Sequence, residues 1–233
     1  TTAVNDCISI ERIGGIALIC IDNPPVNATG QAVRQGLQDA VETLNAQGTA
    51  QVIAIYAAGR TFVAGADIRE FGKPFVPPAL PDVFNIIEAS KIPVISVLHG
   101  TALGGGMELA LSTHARVGIE GLRVGLPEIL LGLLPGAGGT QRMPRLTGVP
   151  FALDMILSGR QVPAKEALEA GIIDRLEAGD PRDVALKAAQ DVIDGTLKTR
   201  RTDQIATVPD QAALDQTAAH LKKTLPHLFS PHK

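Results

Sequence analysis

The sequence predicts an α/β protein, and three observations carry that reading. Apolar runs of strand length alternate with amphipathic segments of helix length through residues 8 to 125. Glycine-rich turns follow two of those runs. Beyond them the chain reads as helical, with one short extended piece.

Ile8 to Arg12 and Ile16 to Ile21 are strand-like, and Gly14-Gly15 between them reads as a hairpin turn. Pro24-Pro25 ends the second strand. Thr29 opens a helix whose apolar residues Val33, Leu37, Ala40, Val41 and Leu44 share one face. Val52 to Ala57 is a buried-type strand. Residues 72 to 81 contain four prolines and form a surface loop ahead of a helix around Val83 to Ala89. Pro93 to Leu98 is another apolar strand and feeds into Gly104-Gly105-Gly106. Ala115 to Ile119 and Leu122 to Val124 are short strands; helices follow at Gly139 to Leu146, Pro150 to Leu157 and Ala164 to Ala170. Ile172 to Leu176 is extended. Asp180-Pro181 pairs a capping side chain with proline at the first helical position, and that helix runs to Gly195. Past residue 195 the composition turns to Lys, Arg, Thr and Gln, and only Ala212 to Leu225 reads as a helix. The division is therefore a core over 1–195 and a helical tail or linker over 196–233.

Composition narrows the function. With 233 residues, 45% hydrophobic and 19% charged, the chain can bury one large core or a main domain with a small appendage. A net charge of −3 and an aromatic content of six Phe, one Tyr and no Trp argue against a nucleic-acid partner. No apolar run approaches membrane-spanning length, so no membrane partner is expected. Cys7 and Cys20 lie in strand-like runs and read as reduced thiols of a cytoplasmic-type protein. The five histidines show no metal-ligand spacing, so no metal is expected. Neither glycine cluster matches Gly-x-Gly-x-x-Gly or carries a following Gly-Lys-Ser/Thr, and no serine sits in a nucleophile-elbow context. His99 reads as a structural histidine.

Two acidic residues stand apart. Glu108 follows the glycine triplet, and Glu128 precedes a second glycine-rich turn, Pro135 to Arg142; both sit in mostly apolar sequence. Such burial raises a carboxyl pKa toward the range useful for proton transfer. Backbone N–H groups exposed in both glycine-rich turns would be free to receive a developing oxyanion. The segment from Gly59 to Glu70, built of small residues, offers a second set of amides, or simply a turn capped by Asp67.

Together these residues resemble the crotonase (enoyl-CoA hydratase/isomerase) family. The matching stretches are Asn23 to Ala28, Phe62 to Ile68, His99 to Ala110 and Pro127 to Arg142, in the family's order. The resemblance implies a crotonase-like spiral of ββα units with a C-terminal helical region, and an acyl-CoA thioester as substrate. Coenzyme A would then be part of the substrate and no separate cofactor is implied. Carried over by motif, the oxyanion amides belong to Ala66 and Gly105. Ala64, Ala66, Asp67, Ile68, Arg69 and Gly105 would line the substrate slot, with Arg69 able to face phosphate.

Having glutamates at both acid/base positions, the chain resembles a hydratase. It would add water across a 2-trans-enoyl-CoA to give 3-hydroxyacyl-CoA in fatty-acid β-oxidation, with Glu108 activating water and Glu128 protonating the α-carbon. Asn23 to Ala28, Arg142 to Pro150 and the tail from Arg200 look most like the N-terminal hydratase half of multifunctional β-oxidation enzymes. That likeness adds Δ3-Δ2 isomerisation at Glu128 and leaves open a homotrimer, a hexamer or a monomer. It places the chain in the cytoplasm, or in the mitochondrial matrix or peroxisome of a eukaryote. Two alternatives stay open at this stage: another acyl-CoA reaction such as thioester hydrolysis or decarboxylation, and a catalytically silent acyl-CoA-binding module.

Overall fold

The computed structural model describes residues 1–70 and 72–224. Strands β1 (Thr2–Ala3), β2 (Ile8–Ile13) and β3 (Ile16–Ile21) form an antiparallel meander. Helix α1 (Gln31–Gln47) then crosses back, and β4 (Val52–Ala57) adds to β3 in parallel. From β4 onward the chain repeats one manoeuvre. A strand of the main sheet runs directly into a short strand of a second sheet, and a helix leads to the next turn.

The first turn is β4, β5 (Val63–Ala64) and α2 (Leu80–Glu88). The second is β6 (Val94–Leu98), β7 (Thr101–Leu103) and α3 (Gly105–Leu111). The third is β8 (Ala115–Ile119), β9 (Arg123–Gly125) and α4 (Gly139–Thr147). These are the ββα units of the expected spiral. The chain continues through α5 (Val149–Ser158), β10 (Val162–Pro163), α6 (Ala164–Glu169), β11 (Arg175–Glu177), α7 (Pro181–Ile193) and α8 (Gln211–Thr224). The main sheet has the order β1-β2-β3-β4-β6-β8-β11, and the second sheet β10-β9-β7-β5.

Alternate residues of β4 pack on opposite faces and both faces are covered, which explains its apolar run; β6 and β8 carry buried Ser96 and Arg116 among theirs. Ile53 and Ile55 face the core shared with α1, α2 and α3, while Val52 and Ala54 face α7 through Val184, Ala185, Ala188 and Ala189. Asp180 caps α7 by accepting from the amides of Arg182 and Asp183, a contact worth about 1 kcal/mol.

Three local expectations need correction. Helix α1 starts at Gln31, and Thr29 does not cap it: the Thr29 hydroxyl bonds the Gly65 carbonyl, and the Gln31 amide donates to Glu70 Oε1 at 2.7 Å. Helix α2 begins at Leu80, earlier than expected, because Pro81 occupies the first turn, where its missing N–H costs nothing. The short strands β1, β5, β7 and β10 are additions.

Residues 200–203 are tied to the core. The Arg200 amide bonds the His114 carbonyl, the Thr202 hydroxyl bonds the Leu111 carbonyl, and the Asp203 amide bonds Glu88. The proline-rich loop is held as well. Buried Arg34 of α1 donates to the carbonyls of Val76 and Pro78 and pairs with Glu70 at 2.6 Å. Among the described residues, no helix is long and apolar enough to cross a membrane.

Candidate active site

The second spiral turn delivers the glycine triplet to the start of α3, and each glycine meets a different demand. Gly104 caps the helix with φ +52°, a left-handed value that disfavours other residues. A Cβ on Gly104 would lie 3.2 Å from Glu128 Oε1, so the second carboxylate packs directly over the helix start. On Gly105 a Cβ would sit 3.7 Å from the Ala66 nitrogen. On Gly106 it would fall 2.1 Å from the Val63 carbonyl oxygen, inside the packing of α3 on β5. Gly106→Ala must therefore push α3 away from β5. We expect a loss of about 1–3 kcal/mol of stability, read by denaturant melting.

Glu108 lies one turn into α3 and is 3% exposed. Its Oε1 accepts from the amides of Ala137 and Gly139, both at 2.8 Å. The second glycine-rich turn thus spends these two N–H groups on the carboxylate of Glu108, which corrects the expectation that both glycine-rich turns present free amides to an oxyanion. Burial pushes the Glu108 pKa up, and the two backbone hydrogen bonds and the Arg142 charge oppose that shift.

Glu128 opens the 3-10 turn Pro127–Leu131 and is half-buried. Its Oε2 is buried with no hydrogen-bond partner among the described residues. Burial, with the nearby Glu108 charge adding to it, pushes its pKa up to about 7 despite a bond to its own backbone amide. One carboxylate is therefore fixed by donors and the other is left with an oxygen unsatisfied among the described residues, so the two environments differ.

The amides of Ala66 and Gly105 stand beside this pair. Neither nitrogen donates a hydrogen bond among the described residues, whereas the Gly104 nitrogen donates to the Gly125 carbonyl. Ala64, Ala66 and Asp67 are half-buried along the same edge. Asp67 accepts from the Arg69 amide at 3.0 Å, as a turn cap, and pairs with the Arg69 guanidinium at 2.7 Å. Ile68 and Arg69 project into solvent. His99 is buried, with Nε2 3.0 Å from the Gly59 carbonyl and Nδ1 without a partner among the described residues, so it is only half satisfied; burial pulls its pKa down.

Two residues that the sequence reading assigned no role lie behind Glu108. Arg142 and Glu88 form a pair at 2.8 Å with side chains 8% and 9% exposed. They border a cavity of about 330 Å³ shared with Asn85, Gln141, Arg145 and Asp203. Glu88 carries no sequence signal, because its partner is brought to it by packing of α4 near α2. A larger cavity of about 670 Å³ lies between the Gly14-Gly15 hairpin and α7, across the main sheet from both glutamates, and has no part in their chemistry.

Comparison with known proteins follows the same geometry. The family described as "Enoyl-CoA hydratase/isomerase" matches residues 11–223. A peroxisomal bifunctional enzyme of Danio rerio is 43% identical over 192 residues, covering 82% of this chain and 27% of that protein. A probable enoyl-CoA hydratase of Bacillus subtilis is 37% identical over 190 residues, covering 78% of this chain and 73% of that protein. Among solved structures, Pseudomonas aeruginosa DspI superposes with a TM-score of 0.75 at 32% identity, covering 81% of this chain and 75% of that one. An enoyl-CoA hydratase of Bacillus anthracis gives 0.72 at 27% identity, covering 95% and 92%. The chain thus spans about a quarter of the length of the bifunctional relative.

Proposed function

The chain belongs to the enoyl-CoA hydratase/isomerase family, and from that premise we propose that it adds water across the double bond of a 2-trans-enoyl-CoA in β-oxidation. The observation that carries the proposal is the contrast between Glu108, whose Oε1 accepts from two amides, and Glu128, whose Oε2 is buried without a partner among the described residues. Ionised Glu108, with Oε1 fixed by two amides, takes a proton from water as the water oxygen bonds the β-carbon. The π electrons move onto the thioester oxygen, where the amides of Ala66 and Gly105 receive the charge. Neutral Glu128 then delivers its proton to the α-carbon. Exchange with solvent returns the proton from Glu108 and reprotonates Glu128, so water is the only reactant consumed besides the thioester.

The slot for the thioester runs along Ala64, Ala66, Asp67, Ile68, Arg69 and Gly105. Exposed Leu130 and Leu131, just past Glu128, offer apolar surface to an acyl chain. Isomerisation of a 3-enoyl thioester would draw on the same Glu128 carboxyl, whose Oε2 has no hydrogen-bond partner among the described residues and so suits a shuttle.

The direct test is loss of the enoyl absorbance of crotonyl-CoA, run beside a 3-enoyl-CoA isomerisation assay and a free-thiol assay. Hydration without thiol release is the expected result. Thiol release would assign a hydrolase, and binding without turnover a silent module.

The pH dependence has a defined sign. Activity rises with pH as Glu108 ionises, at a pH above the ordinary carboxylate range because burial holds its pKa up. It falls again as Glu128 loses its proton near pH 7. A kcat profile flat from pH 5 to pH 9 would contradict both assignments.

A further inference from the structure

Behind the Glu108 carboxylate stands a relay of groups that the hydration chemistry does not itself require. Glu88 ends α2 and accepts from Arg142 Nε and Nη2, at 3.2 Å and 2.8 Å, through a single oxygen, Oε2. Its other oxygen accepts from the Asp203 amide at 3.2 Å. Arg142 Nη2 also donates to Asn85 Oδ1 at 3.0 Å, and Nη1 donates to the Ala137 carbonyl at 3.1 Å. A planar guanidinium held on two sides points its Nη1, which carries the two N–H groups left, in a fixed direction.

That direction is the turn carrying the Ala137 and Gly139 amides that grip Glu108. Gly138, between them, has φ +102°, and a Cβ there would lie 2.2 Å from Arg142 Nη1. The turn therefore closes over the guanidinium as well as around the carboxylate.

We propose that Arg142, clamped by Glu88, is a positioning residue: by holding the Ala137 carbonyl it fixes the turn whose two amides aim Glu108 at the reacting water. The inference rests on the hydratase reading above and extends it to two residues that touch no substrate. The charged groups around Glu108 are Glu128 from the Pro127–Leu131 turn and Arg142 from α4. Behind Arg142 are Glu88 from α2, Asp203, and Arg201 paired with Asp203. The His114 ring bonds the Glu88 carbonyl from the far side.

The experiment compares wild type with Arg142→Gln, Arg142→Lys and Glu88→Gln. It measures kcat and KM for crotonyl-CoA against pH, melting curves, and a carbon-13 NMR titration of the Glu108 carboxyl assigned through Glu108→Gln. In Arg142→Gln, kcat should fall about tenfold to a hundredfold with KM within about twofold, since misaimed groups lose rate before binding. The acidic limb of kcat and the Glu108 titration should both move up by roughly one pH unit, because the opposing charge is gone. Arg142→Lys, keeping the charge, should return the limb without restoring full kcat. Glu88→Gln should lower kcat without raising the limb.

A folded Arg142→Gln protein with wild-type kcat and titration overturns the proposal, and so does a fall in kcat matched by a rise in KM with the limb unmoved. Where Arg142→Gln does not fold, wild-type kcat in both Arg142→Lys and Glu88→Gln overturns it. Where wild type itself does not hydrate crotonyl-CoA, the hydratase reading fails by itself. The NMR titration of Arg142→Gln then decides the relay, with an unmoved Glu108 overturning it.

Discussion

Glu128→Gln is expected to lower crotonyl-CoA hydration by about 10²- to 10⁴-fold, the range typical for losing a general acid. Gln matches the shape of the protonated carboxyl but carries no transferable proton. Isomerisation should fall with hydration, because both draw on the same oxygen. The alkaline limb of the residual rate should vanish, as the group that titrates near pH 7 is gone.

Stability should move the other way. The folded pKa of Glu128 lies above the ordinary carboxylate value, so its favourable contribution is complete at low pH and is lost as pH rises through about 7. At pH 8 wild type holds a half-buried carboxylate whose Oε2 has no partner among the described residues, and Glu128→Gln relieves it. A higher melting temperature for Glu128→Gln at pH 8, with no such gain at pH 4, is the expected pattern. Near-wild-type turnover by this variant would remove Glu128 from the mechanism.

Glu108→Gln should be comparably damaging for a different reason. The amide oxygen of Gln can still accept from Ala137 and Gly139, so the turn stays in place and the fold is kept. What disappears is the basicity needed to take a proton from water, and the rate should again fall by about 10²- to 10⁴-fold with the acidic limb abolished. Equilibrium binding of a saturated acyl-CoA should change little. A variant that binds this ligand and still hydrates crotonyl-CoA at the wild-type rate would show that water is activated elsewhere.

Much of this was legible in the chain. Ile16–Ile21, Val52–Ala57 and Ala115–Ile119 match their expected bounds, because strands buried on both faces are mostly apolar and end sharply at turn residues; Arg116, buried and paired with Asp174, is the charged exception. The glycine triplet was readable as a helix start for a related reason, since three adjacent residues without side chains demand a special backbone. The strands Val63–Ala64, Thr101–Leu103 and Val162–Pro163 were not readable. Two or three residues show no periodicity, and it is the second sheet, assembled from distant segments, that makes them strands. The same limit hid the roles of the Ala137 and Gly139 amides and the Glu88–Arg142 pair. Sequence flags a flexible turn or a charge, but only tertiary packing decides whether a turn faces a ligand or a neighbouring side chain. Thr29 shows the point in miniature: its hydroxyl is a good cap by type, yet Gly65 claims it and Glu70 caps α1 from across the loop.

That cap by Glu70 has a mechanical consequence. Glu70 closes the 3-10 turn Ile68–Glu70 on one edge of the proposed thioester slot, and through Arg34 it is bolted to the same helix that anchors Val76 and Pro78. One rim of the slot is thereby pinned at its two ends to the first turns of a single rod. Loosening the tip of that rod should widen the mouth of the proposed slot, so that the Arg34–Glu70 salt link would tune its width.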